Sequence, residues 1–206
     1  MGSDAQRSEL ARIVVLASGG GTNCQALIDA CAHGEIDAKI VAVVSNNADA
    51  GVLGRAEAAG IESAVVDHSG KDPEMRRAAD ARLIDLVTGF APDLVVLAGW
   101  MRILGAAVGA AFPMINLHPA RPGAFPGIRA IERAFEAWTN GDLTESGVMI
   151  HWVPDEGVDI GPVIVTEAVP FRPSDDLADF TARMQECEHR LIVEGCRRAL
   201  KEANTA

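Results

Sequence analysis

The stretch Arg12-Ile13-Val14-Val15-Leu16-Ala17-Ser18-Gly19-Gly20-Gly21-Thr22-Asn23 decides the fold. Its first half is a continuous apolar run, the pattern of a strand buried on both faces of a parallel sheet. Its second half turns the chain on consecutive glycines, and residues 25–32 continue as a helix. Strand, glycine turn and helix in that order open an α/β fold.

Working outward, the alternation continues. An apolar strand is predicted over residues 38–44. A helix over 49–59 follows, ending at Gly60 in the place of a C-terminal glycine. A short strand over 62–66, a helix over 73–88 and a buried strand over 93–98 come next. Another strand ends in Met114-Ile115-Asn116-Leu117-His118-Pro119, where proline stops the ladder. The second half changes character. A helix spans 127–139, and strands over 147–153 and 163–169 are joined by the acidic loop Asp155-Glu156-Gly157-Val158-Asp159. From residue 174 the chain is one long helix, whose Ser174-Asp175-Asp176 start suits an N-cap and the helix dipole. Leu177, Phe180, Met184, Cys187 and Leu191 form its apolar stripe. The expectation is a Rossmann-like, mostly parallel sheet with right-handed crossovers, helices on both faces and an antiparallel C-terminal strand pair. One domain is expected over residues 1–206, with residues 1–10 a disordered tail.

With nearly half of its 206 residues apolar, the chain can bury a sizeable core. Its apolar runs, 94–101 among them, are too short to cross a bilayer, and residues 1–9 hold no hydrophobic leader. Gln6 stands where myristoylation wants Ser or Thr. The four cysteines, Cys24, Cys31, Cys187 and Cys196, form no C-x-x-C pair and read as small apolar residues of a reducing cytoplasm. A net charge of -11 argues against nucleic acid as a partner. Small anionic ligands need only a local positive site.

In a parallel α/β sheet, ligands gather beyond the carboxyl ends of the strands. The glycine turn lets backbone N–H groups approach a ligand, and the helix behind it adds a positive end, so an anion is the expected guest. As a dinucleotide fingerprint it fails, because Cys24 stands at the third glycine and no acid follows the second strand at Ser45-Asn46-Asn47. A single phosphate fits better, with a plain tight turn the alternative. Asn116 and His118 lie two apart on a strand and so share a face. The amide is an uncharged donor suited to a developing oxyanion, and the imidazole exchanges protons near neutral pH. Asp159 can orient that imidazole and raise its pKa if its loop folds back. The alternatives are a structural histidine and a turn aspartate. His151 reads as a supporting or structural histidine. A metal site of His118, His151 and Asp159 is conceivable, but these residues lack ligand-pair spacing. Glu188 falls on the apolar stripe of the last helix, where a carboxylate costs free energy unless it is paired or lines a polar pocket. Lys or Arg partners and a ligand are the two readings.

Four ordered motifs now meet: Leu16-Ala17-Ser18-Gly19-Gly20-Gly21-Thr22-Asn23, Ala98-Gly99-Trp100-Met101-Arg102-Ile103-Leu104, Asn116-Leu117-His118-Pro119 with Phe125-Pro126-Gly127, and Asp155-Glu156-Gly157-Val158-Asp159-Ile160-Gly161-Pro162-Val163-Ile164. Together, over residues 12–200, they resemble phosphoribosylglycinamide formyltransferase, the folate-dependent enzyme of purine synthesis. The resemblance implies direct transfer of a formyl group from 10-formyltetrahydrofolate to the amine of phosphoribosylglycinamide (GAR), without metal. It implies Asn116, His118 and Asp159 as the catalytic set. Gly21, Thr22 and Asn23 would hold the GAR phosphate, and Glu188 its ribose. Met101, Arg102, Ile103 and Leu104 would line the folate pocket, with Arg76 offering positive charge. The oligomer is expected to be a monomer or homodimer.

The chain departs from the family in Ala120-Arg121-Pro122-Gly123, where Ser-Leu-Leu-Pro is usual, in Val148-Met149, and in Trp100, where phenylalanine is frequent. These put substrate affinity and loop order in question, not the core chemistry. Rival readings are a formyltetrahydrofolate deformylase, which typically shows His-His where His118-Pro119 stands, and a non-catalytic sugar-phosphate module. A methionyl-tRNA formyltransferase would need a C-terminal RNA-binding domain.

Overall fold

A computed structural model of the chain describes residues 10–68 and 72–203. The expected tail lies, Leu10 apart, outside the described residues. The elements run β1 (Ala11–Leu16), α1 (Thr22–Ala32), β2 (Ala38–Ser45), α2 (Gly51–Ala58), β3 (Glu62–Val65), α3 (Pro73–Gly89) and β4 (Leu94–Leu97). They continue with α4 (Ala106–Ala111), β5 (Met114–His118), α5 (Ala130–Thr139), β6 (Glu145–Trp152), β7 (Val163–Pro170) and α6 (Leu177–Ala203).

One seven-stranded sheet has the order β3-β2-β1-β4-β5-β6-β7. The first five strands in chain order pair in parallel, and β6 and β7 add antiparallel to β5. This is the mixed sheet read from the sequence. Alternate residues of each buried strand serve opposite cores, which is why those strands are apolar throughout. On one face Ile13, Val15, Leu94 and Val96 pack with Leu27 of α1, Val52 of α2, and Phe180 and Met184 of α6. On the other, Val14, Leu16, Val95 and Leu97 meet Leu83 and Val87 of α3 and Val108 of α4.

Chain order steps outward from β1 to β3, then crosses back over β1 to β4. The connections after β1 and β4 therefore leave in opposite directions, opening a crevice at the carboxyl ends. Hydrogen bonds lace its rim. Ser18 N–H donates to the Gly99 carbonyl at 3.0 Å, and Met101 N–H to Ser18 Oγ at 2.8 Å.

Several boundaries differ from the sequence reading for local reasons. The last helix opens at Leu177, because Asp176 and Asp179 cap it reciprocally: Asp179 N–H donates to Asp176 Oδ1 at 2.8 Å, and Asp176 N–H to Asp179 Oδ2 at 3.4 Å. Leu177, counted in its apolar stripe, is 40% exposed in that first turn, whereas the other stripe residues are buried. Helix α1 begins earlier than expected, at Thr22, directly on the glycine turn. Helix α5 begins later, because Arg129 at φ 58° interrupts the turn from Gly127. The short, alanine-rich α4 carries too little periodicity to be read in advance.

The four cysteines are free thiols, with Cys24, Cys187 and Cys196 buried. Burial pushes Cys24 and Cys187 up to about 12, so they behave as the apolar fillers expected. Among the described residues, no helix is long and apolar enough to cross a membrane.

Candidate active site

Strand β5 ends with Asn116 and His118 on one face, and β6 pairs across it with Asn116 opposite His151. The acidic loop folds back so that Asp159, in the left-handed region at φ 56°, reaches this strand end. Asn116 Nδ2 donates to Asp159 Oδ1 at 3.0 Å and to His151 Nε2 at 3.1 Å. His151 Nδ1 lies 2.8 Å from the Trp152 carbonyl. A carbonyl only accepts, so Nδ1 carries the proton and Nε2 is free to accept from Asn116. His151 therefore holds the amide, a supporting position.

Asp159 Oδ2 accepts the Gly127 N–H at 2.8 Å and lies 3.3 Å from His118 Nδ1. His118 Nε2 is 3.3 Å from the Ala124 carbonyl, which places the proton of a neutral ring on Nε2. The Nδ1 lone pair then faces the carboxylate, and a proton taken up at Nδ1 is met at once by Asp159. Burial lowers the His118 pKa below the ordinary imidazole value; Asp159 and the Ala124 carbonyl pull it upward but do not overcome burial. The expected upward push by Asp159 is present and is outweighed. Burial pushes the Asp159 carboxyl up, but the Gly127 N–H and the neighbouring imidazoles of His151 and His118 together hold it below the usual carboxylate value. Both amide hydrogens of Asn116 are committed here, so an oxyanion role asks one of them to be redirected.

The glycine turn occupies the same carboxyl edge. Gly21 has φ 74°, and a Cβ there would lie 2.6 Å from Val52 Cβ, so only glycine closes this turn against α2. A Cβ at Gly19 or Gly20 would meet nothing within 4 Å, leaving that backbone open to a ligand. Arg55, which sequence reasoning missed, donates from Nε to the Gly20 carbonyl at 2.7 Å and sets a cation beside the turn. Thr22 is exposed at the first position of α1, while Asn23 is buried.

Glu188 lies under this turn, only 7% exposed. The Lys or Arg partner considered for it is not what the fold supplies. Asn23 Nδ2 donates to Glu188 Oε2 at 2.8 Å, and no ion pair to Glu188 occurs among the described residues. Burial raises the Glu188 pKa, against a smaller lowering by Asn23. Asn23 Oδ1 is buried with no hydrogen-bond partner among the described residues. A carboxylate and an amide oxygen side by side form a small acceptor-rich patch that suits hydroxyl or amine donors.

A groove of about 480 Å³ lies between α3, the segment entering α4 and the acidic loop. Arg76, Ile103 and Glu156 are among its walls. Met101 and Ile103 are 61% and 56% exposed, and Arg102 is exposed. Leu104 is instead buried in the apolar cluster with Trp100 and Val108. Among the described residues, no group of three His, Cys, Asp or Glu side chains is arranged to hold a metal ion.

Comparison with known proteins adds a second line of observation. The family described as "Formyl transferase" matches residues 11–196. Phosphoribosylglycinamide formyltransferase of Schizosaccharomyces pombe is 40% identical over 90% of this chain and 95% of its own length. The protein of that name from Escherichia coli is 44% identical over 87% of this chain and 82% of its own. The crystal structure of phosphoribosylglycinamide formyltransferase from Bacillus halodurans superposes with a TM-score of 0.84 at 33% identity, covering 93% of this chain and 96% of that one.

Proposed function

This chain belongs to the formyl transferase family, and from that premise we propose that it carries the formyl group of 10-formyltetrahydrofolate to the amine of GAR in purine biosynthesis. The observation that carries the reading is the convergence on β5 of Asn116, His118 and Asp159, within 3.0 to 3.3 Å of one another through the carboxylate. That cluster shares the carboxyl edge of the sheet with the open glycine turn.

In this reading the GAR phosphate meets the backbone of Gly21 and the start of α1 at Thr22 and Asn23, with Arg55 nearby as counter-charge. The ribose hydroxyls donate to the acceptor patch of Glu188 and Asn23. Arg76, Met101, Arg102 and Ile103 face the folate, and Leu104 supports them from the core. The amine attacks the formyl carbon and its proton passes to His118 Nδ1 beside Asp159. Collapse of the tetrahedral adduct then breaks the bond between the formyl carbon and N10, and His118 returns the proton to N10, releasing tetrahydrofolate and formyl-GAR. Asn116 turns one N–H from Asp159 to the developing oxyanion as the carboxylate commits to His118. No metal enters this scheme. A cytoplasmic monomer or homodimer fits the same reading.

The test is the acceptor. Tetrahydrofolate release should require GAR and form stoichiometric formyl-GAR. Equal release without GAR assigns a deformylase instead, and binding of both ligands without turnover assigns a binding module.

A further inference from the structure

Outside the cluster on β5, the described chain holds one other buried histidine–carboxylate pair. His68, just past β3, and Asp80, on α3, are 3% and 6% exposed. His68 Nε2 lies 2.7 Å from Asp80 Oδ1. Asp80 Oδ2 accepts the Gly105 N–H at 3.2 Å. The His68 ring meets Trp100 edge-on, with centroids 5.9 Å apart. The pair therefore touches both ends of the segment 100–105, Trp100 through the imidazole and Gly105 through the carboxylate. Between those ends stand Met101 and Ile103, whose apolar side chains are exposed. Asp80, Gly105 and Ile103 line the groove, whereas His68 does not.

A buried carboxylate with two donors is directional, and removing one donor leaves an unmet acceptor. Such a group fixes the backbone around it to within the tolerance of a hydrogen bond. The approach at Gly105 is close: a Cβ there would fall 2.6 Å from Asp80 Oδ2. At φ -74° and ψ 162° the Gly105 backbone is one any residue adopts, so the glycine answers to the carboxylate and not to a turn.

We propose that the His68–Asp80 pair is a positioning device for the groove wall at Ile103 and Gly105, setting affinity for the folate while leaving the GAR site alone. This rests on the formyl transfer reading above. His68 is the informative member, because it acts on the groove only through Asp80 and Trp100.

Tetrahydrofolate is titrated calorimetrically into the wild-type protein, His68→Gln, Gly105→Ala, Asp80→Ala and the double variant Asp80→Ala with Gly105→Ala, with melting curves alongside. Wild-type binding establishes the folate reading before any variant is judged. His68→Gln and Gly105→Ala should each weaken tetrahydrofolate about tenfold, as for loss of one hydrogen bond to a charged group. KM for GAR should stay within about twofold in both. The penalty of Gly105→Ala should shrink in the Asp80→Ala background, because the atom it strikes is gone. Unchanged tetrahydrofolate affinity in folded His68→Gln overturns the proposal, whatever happens to the melting temperature. So does an equal rise in both substrate constants. Should Asp80→Ala fail to fold, His68→Gln and Gly105→Ala still decide the matter. A wild-type protein that binds no tetrahydrofolate overturns the functional reading itself.

Discussion

Glu188→Gln separates two roles that the position of a carboxylate on an apolar helix stripe leaves equal. Among the described residues Glu188 has one amide donor, Asn23, and no cation partner, and burial raises its pKa above the ordinary 4.5. Burial thus disfavours its ionised form relative to the unfolded chain. Folding then takes up a proton between 4.5 and the raised folded value, so stability falls as pH climbs through that window and is level above it. Glutamine keeps an acceptor oxygen for Asn23 Nδ2 and brings an NH₂ group that can donate to Asn23 Oδ1, which has no partner among the described residues. One added internal hydrogen bond contributes about 0.5–1.5 kcal/mol. At about 2–4 °C per kcal/mol for a chain of this size, the melting temperature should rise by about 1–6 °C at pH 7. The wild-type decline with pH should flatten in the variant. Binding should move the other way. Losing the charged acceptor for a ribose hydroxyl costs about 1.5–3 kcal/mol, so KM for GAR should rise roughly ten- to a hundredfold while KM for the folate holds. Differential scanning fluorimetry from pH 5 to 8 and steady-state kinetics in both substrates read these together. A lower melting temperature with both KM values unchanged refutes the reasoning and makes Glu188 a structural residue.

Further outcomes bear on the site. Asp159→Asn and His118→Asn should each lower kcat by about a hundredfold or more, as for loss of general acid–base help. Because Asp159 pulls the His118 pKa upward, Asp159→Asn should also move the ascending limb of the pH–rate profile to lower pH, and an unshifted limb removes the carboxylate from that role. The stability that Asp159 contributes is present above 3.8 and is lost as pH falls through its lower folded value, so acid unfolding of Asp159→Asn should be flatter there. Gly21→Ala should destabilise by about 2–4 kcal/mol, combining the left-handed backbone with overpacking on Val52. Gly19→Ala, with open space around its Cβ, should melt like the wild type and raise KM for GAR; similar melting temperatures for the two variants would contradict the turn geometry.

The sequence by itself determined the sheet. Apolar runs such as residues 13–17 and 94–97 can be satisfied only where both faces are covered, which demands parallel strands with helices on each side. It also marked Asn116, His118 and Glu188 through side chains that period and burial do not excuse. The tertiary structure alone decided who meets whom. Asp159 reaches Asn116 across 43 residues, and Asn23 reaches Glu188 across 165, separations over which no local pattern carries information. Asp80 shows the limit well. It lies among Ala79, Leu83 and Val87 on the buried face of α3, the same signal that singled out Glu188, yet its partners His68 and Gly105 come from other elements. The net state of His118 was equally beyond the sequence. Asp159 pulls its pKa up and burial pulls it down, and only the depth at which the fold sets the ring, 3% exposed, determines which prevails.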